Sequence, residues 1–157
     1  MRLTNLFVGL IMTIVFAPLG SEVVGQKRST IPTGTAAVQQ PIYNEYRGVR
    51  IGMPAEEVRA KLGEPASKAD DQDYYIISES EAAQIVYDAQ LKTKAISVDY
   101  MGGVGAPEPK TVVGGELEVS QRGLYKLVRY ENLGYWVSYN RMAGPVVIVT
   151  ITIQKAR

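Results

Sequence analysis

The chain has no cysteine and no histidine. The first absence excludes disulfides, thiolate metal sites and cysteine nucleophiles. It also excludes a lipid-modified cysteine, so no lipid anchor is expected. The second removes imidazole ligands and bases, and any Ser-His-Asp triad with them. Neither sign of charge is in excess: 17 Lys and Arg face 16 Asp and Glu, a net of +1. That balance sets up no field to draw nucleic acid or anionic lipid, so no nucleic-acid partner is expected. Tryptophan occurs once and phenylalanine twice against ten tyrosines, so the aromatic surface carries mostly hydroxyl-bearing rings. The 46% of hydrophobic residues in 157 is enough for the core of one compact domain.

The residues that are present fall into zones. Arg2 precedes an apolar run from Leu6 to Phe16, extended to Leu19 around Pro18. Its length matches the apolar part of an export signal and falls short of the roughly 20 residues of a membrane span. Residues 1–25 are read as that signal, cut after Gly25, or alternatively after Ser21. Residues 26–46 are rich in Thr, Gln, Gly and Pro and have neither helical nor strand period; they are read as a flexible linker. The expected destination is the periplasm, association with the outer membrane, or, for a secreted protein, the medium.

The folded part is organised around Gly52-Met53-Pro54-Ala55-Glu56-Glu57-Val58-Arg59-Ala60-Lys61-Leu62-Gly63-Glu64-Pro65. This spacing predicts a helix over 54–62. Proline suits its start, acids its first turn, bases its last turn, and Gly63 and Pro65 its end. Val58 and Leu62 share one face, which must pack on something because so short a helix is unstable alone. Strand-like runs follow at 73–78, 84–88 and 94–101, then, after Gly102-Gly103-Val104-Gly105, at 124–130, 135–141 and 146–153. The two series recur at an offset of about 50 residues. The expected fold is therefore α+β: an antiparallel sheet of about six strands from two α-β-β-β units, 47–104 and 105–157. The second unit's helix is degenerate, and the one main helix packs on one face of the sheet.

The residues Gly52, Met53, Val58, Leu62, Gly63 and Pro65, followed by Tyr74-Tyr75, Ile85-Val86-Tyr87-Asp88 and Ala95-Ile96-Ser97-Val98, resemble the pattern of the SmpA/OmlA (BamE-like) family. The resemblance covers about a third of the chain. It implies a small exported, non-enzymatic protein of outer-membrane assembly, and the tandem form is similar to the fold of the secreted β-lactamase inhibitory proteins. The departures are the missing lipoprotein cysteine, Pro54 where the family often has a Ser or Thr cap, and a second unit with no counterpart in the single-unit assembly factor.

Candidate chemistry is sparse. Asp70, Asp71 and Asp73 lack the glycine turn and distal glutamate of a calcium loop and are read as a solvated turn. Gly102 to Gly105 lacks the Lys and Ser/Thr of a phosphate loop. No catalytic residue, metal or cofactor is expected, because paired carboxylates would need a cleft that a small sheet under one helix rarely makes. The strand alternation instead assigns Trp136, Ser138, Asn140, Lys126, Tyr130, Thr150 and Thr152 to a sheet face that one helix cannot cover. Such a face suits protein recognition. The expected function is protein binding in envelope assembly or maintenance, with a secreted inhibitor or ligand-sequestering protein as the alternative.

Overall fold

The computed structural model describes residues 43–156. The export signal and residues 26–42 of the expected linker lie outside the described residues. The element order is α1 (Ala55–Leu62), β1 (Ser67–Lys68), β2 (Gln72–Ile76), β3 (Glu81–Tyr87), β4 (Thr93–Met101), α2 (Pro109–Val113), β5 (Glu118–Ser120), β6 (Gly123–Tyr130), β7 (Tyr135–Met142) and β8 (Ile148–Lys155), with a 3-10 turn at Glu131–Leu133.

All eight strands form one antiparallel sheet in the order β1-β2-β3-β4-β8-β7-β6-β5. It consists of two four-stranded meanders whose last strands meet. β4 and β8 run antiparallel side by side, from Ala95 opposite Gln154 to Met101 opposite Ile148. Both are long, and alternate residues of each point to the core: Ile96, Val98 and Tyr100 from β4, Val149, Ile151 and Ile153 from β8. β3 adds Ala83, Ile85 and Tyr87, and β7 adds Val137 and Tyr139, to the same buried layer.

Two expectations are corrected here. The sheet has eight strands, not six, and each helix is followed by four strands rather than three. The added strands, Ser67–Lys68 and Glu118–Ser120, lie at the two edges, and all of their residues are exposed. An edge strand needs only main-chain pairing on one side, so it need not carry the apolar alternation by which strands are read. The helix expectation also fails. α1 is eight residues long and buries only Ala55 and Val58. A second helix, α2, lies against β6 and β7 and buries Val112 and Val113. Pro109 opens that helix rather than interrupting it, and Gly114, in the left-handed conformation at φ 70°, closes it.

Part of the core cover comes from irregular chain. Tyr46 and Val49 exchange backbone hydrogen bonds of 2.9 and 2.8 Å around a tight turn, and both are buried. The Tyr46 hydroxyl donates to Glu81 Oε1 at 2.8 Å, and Arg47 donates to Glu81 Oε2 at 2.9 Å, which straps this segment to the start of β3. Tyr43 and Tyr46 thus belong to the folded part, although both fall inside the expected linker. The entry to α1 is held by the β3–β4 hairpin: the Ala55 N–H donates to the Leu91 carbonyl at 2.9 Å, satisfying one of the donors that a helix start leaves over.

The acidic turn is corrected as well. Asp70 and Asp71 are exposed, but Asp73 is fully buried. Arg59 of α1 donates to both its oxygens, at 2.9 and 3.1 Å. The Tyr87 hydroxyl donates to it at 2.7 Å, and the Tyr75 hydroxyl lies at 3.4 Å. Burial alone would raise the pKa of Asp73, but the hydrogen bonds from Arg59, Tyr87 and Tyr75 outweigh it and hold the carboxyl below its usual value. Burial and the facing carboxylate push the Tyr75 phenol up to about 12.

Asp73→Asn leaves the Arg59 charge without its partner and is expected to cost about 3 kcal/mol at pH 7, the low end for a broken buried pair because the guanidinium still reaches water. A folded-state pKa below the unfolded one gives stability that is present above about pH 3.9 and lost as pH falls through the folded value. The stability gap between the native chain and Asp73→Asn, measured by urea unfolding, therefore narrows in acid. In the same assay Val58→Ala, at a fully buried position, costs about 2 kcal/mol. Leu62→Ala, at a half-buried one, costs less.

Candidate binding face

One face of the sheet is packed by α2, by the core side of α1 and by the segment before α1. The opposite face is fixed by strand register. One row across it runs Tyr125, Asn140, Thr150, Asp99, Ala82, Ile76. A second runs Leu127, Ser138, Thr152, Ser97, Gln84, Tyr74. A third runs Arg129, Trp136, Gln154, Ala95, Val86, Gln72. The side chains of this face lie outside the buried core cluster, and of the three rows only Ser138 is itself buried.

The chemistry of the face is uniform. Among these three rows only Asp99 and Arg129 carry charge, in a chain where 21% of residues are charged. Asp99 accepts a hydrogen bond of 2.6 Å from the Thr150 hydroxyl. Ser97 and Thr152 share one of 3.3 Å, and Gln84 donates to Gln72 at 2.8 Å. These pairs hold hydroxyls and amides in fixed positions between larger side chains: Trp136 at one side, Tyr125 on β6, and Tyr74 and Ile76 on β2, the last of them 67% exposed. Two shallow recesses border the C-terminal end of β8, and Ala156 lines both. One of about 450 Å³ is lined by Val86, Asp88, Lys94 and Ala95. The other, of about 370 Å³, lies between Arg129, Glu131, Trp136 and Tyr135, whose hydroxyl is buried with no partner among the described residues.

Of the residues assigned to this face from sequence, Trp136, Ser138, Asn140, Thr150 and Thr152 are on it. Lys126 and Tyr130 are not. They stand opposite Tyr139 and Tyr135 on the packed side, and Tyr130 is buried. Their places are taken by Tyr125, Leu127 and Arg129. Both phases of β6 mix an aromatic, an aliphatic and a basic residue, so its sequence does not tell which side is inward, and a one-residue slip exchanges the two sides. The contributions of β2, β3 and β4 went unassigned as well. The alternation of Ser97 and Asp99 against Ile96, Val98 and Tyr100 was the available signal for β4. No family model matches the chain, and comparison with curated proteins and with solved structures gives no match.

Trp136 is the sole tryptophan and is half-exposed on this face. Its fluorescence in the free chain is expected to be quenched readily by acrylamide; a blue-shifted, shielded emission would show that something covers the face.

Proposed function

We propose that this chain is an exported, non-enzymatic protein-binding module of cell-envelope assembly or maintenance, and that a partner protein docks on the open face of its sheet. The observation that carries the reading is the composition of that face: aromatic and aliphatic side chains around fixed hydroxyls and amides, with almost no charge. Depletion of charge together with Tyr and Trp is the signature of an interface centre rather than of a solvated face. Six strands spaced about 4.8 Å apart and about seven residues long offer a footprint of roughly 600 Å², near the roughly 800 Å² that each partner contributes to a standard interface. The partner suited to it presents a weakly charged surface with apolar side chains and hydrogen-bonding groups. The apolar run after Arg2 supports export, and the order of residues from Gly52 to Pro65 supports the BamE-like role.

The test is photo-crosslinking in intact cells from single positions. A crosslinker at Asn140 or Gln84 is expected to give one discrete adduct with an envelope protein, a crosslinker at Glu57 on α1 none, and Thr152→Arg is expected to abolish the adduct. Equal adducts from Glu57, or none from the face, would overturn the reading. An adduct formed only with proteins of the medium would replace the envelope role with that of a secreted binder.

A further inference from the structure

A third concavity lies on the packed side of the sheet, in the second meander. Its volume is about 420 Å³, within the range of small-ligand sites. Val149 of β8, Leu124 of β6 and the ring of Tyr139 of β7 border it from the sheet, and Ala106, Pro107 and Leu117 from the chain on either side of α2. Two cations, Lys110 and Arg141, and two anions, Glu108 and Glu116, also line it. All four are exposed, and none takes part in an ion pair among the described residues.

Tyr139 ties the charges to the apolar part. The residue is 4% exposed and borders the cleft. Burial raises its pKa; Glu108 adds to the rise and Arg141 opposes it, so the hydroxyl sits within the field of both and stays protonated at neutral pH. It is therefore a donor in a cleft that Glu108 and Arg141 also line. A simple anion would meet Glu108 and Glu116, and a simple cation would meet Lys110 and Arg141. A ligand carrying both signs meets complementary charge at each end.

We propose that this cleft binds a zwitterion of dipeptide size. Its carboxylate lies against Arg141 and the Tyr139 hydroxyl, its ammonium lies against Glu108, and an apolar side chain rests on Val149 and Leu117. The guanidinium suits the first contact because it offers paired donors to a carboxylate. The site is separate from the open sheet face and does not rest on the function proposed for that face.

Titration calorimetry of the full chain tests it, with leucyl-leucine as the probe and its N-acetyl and C-terminal amide forms as comparators. Free leucyl-leucine is expected to bind at least tenfold more tightly than either blocked form. Arg141→Met removes the preference over the amide, Glu108→Gln removes the preference over the N-acetyl form, and Tyr139→Phe weakens all three. The two charged positions are exposed, so their variants are expected to keep the melting temperature of the native chain. Absence of binding at millimolar leucyl-leucine would overturn the proposal. So would equal binding of the blocked forms, or preferences that survive both charge-removing variants.

Discussion

Much of this structure depends on one buried carboxylate. Asp73 has no exposed surface, and an ionised group in that position is tolerated only where hydrogen bonds replace water. Arg59 gives it two, Tyr87 a third, and Tyr75 a longer fourth contact. Those donors come from α1, from β3 and from β2 itself. The network can form only when the helix is seated, when β2 is paired with β3 in the observed register, and when α1 turns Arg59 toward the sheet. A helix of eight residues that buries two side chains has little hydrophobic area with which to hold its place. The ion pair therefore serves orientation more than net stability, since desolvation of the two charges offsets most of their attraction.

The second meander has no such network. Its helix is five residues long and seats Val112 and Val113 on β6 and β7, and no buried carboxylate draws it down. The inward residues of β6 and β7 are apolar or phenolic apart from half-buried Lys126 and exposed Arg141. The two halves thus solve the same problem, covering one side of four strands, by different means. In the first half the cover is α1 together with the strap from Tyr43 to Met53, and Glu81 fastens that strap through Tyr46 and Arg47.

Legibility in the sequence followed the strength of periodic signals. β4 and β8 alternate over seven or more residues and bury one row each, so their existence and phase could be read from Ile96, Val98 and Tyr100 and from Val149, Ile151 and Ile153. The punctuation from Pro54 to Gly63 likewise located α1 to within a residue. β1 and β5 could not be found that way, because edges held by main-chain bonds leave no pattern in side chains. The face of β6 was ambiguous because Tyr125-Leu127-Arg129 and Lys126-Val128-Tyr130 are nearly the same chemistry in two phases. Asp73 was misread for another reason. Its neighbours Asp70 and Asp71 are ordinary turn residues, and only the distant Arg59 and Tyr87 distinguish it from them. Five of the seven residues assigned to the open face lie on it, all of them on β7 and β8.

The open face and the cleft follow from how little helix the chain contains. A sheet of eight strands has two sides, and the described chain outside it suffices for one. The uncovered side is then either charged and solvated or neutral and available. Here the three rows across it carry two charges, and their hydroxyls and amides bond partly to one another, so the face has the chemistry of the second case. On the covered side, α2 spans only Pro109–Val113, and its first residues border the space beside Tyr139 and Val149 without filling it. The loop from Gly102 to Glu108 crosses there instead, and loops do not close over a sheet as tightly as a helix face does. The cleft is the space that this short helix leaves, and the charged residues around it come from the loops on either side of α2, from α2 itself and from β7.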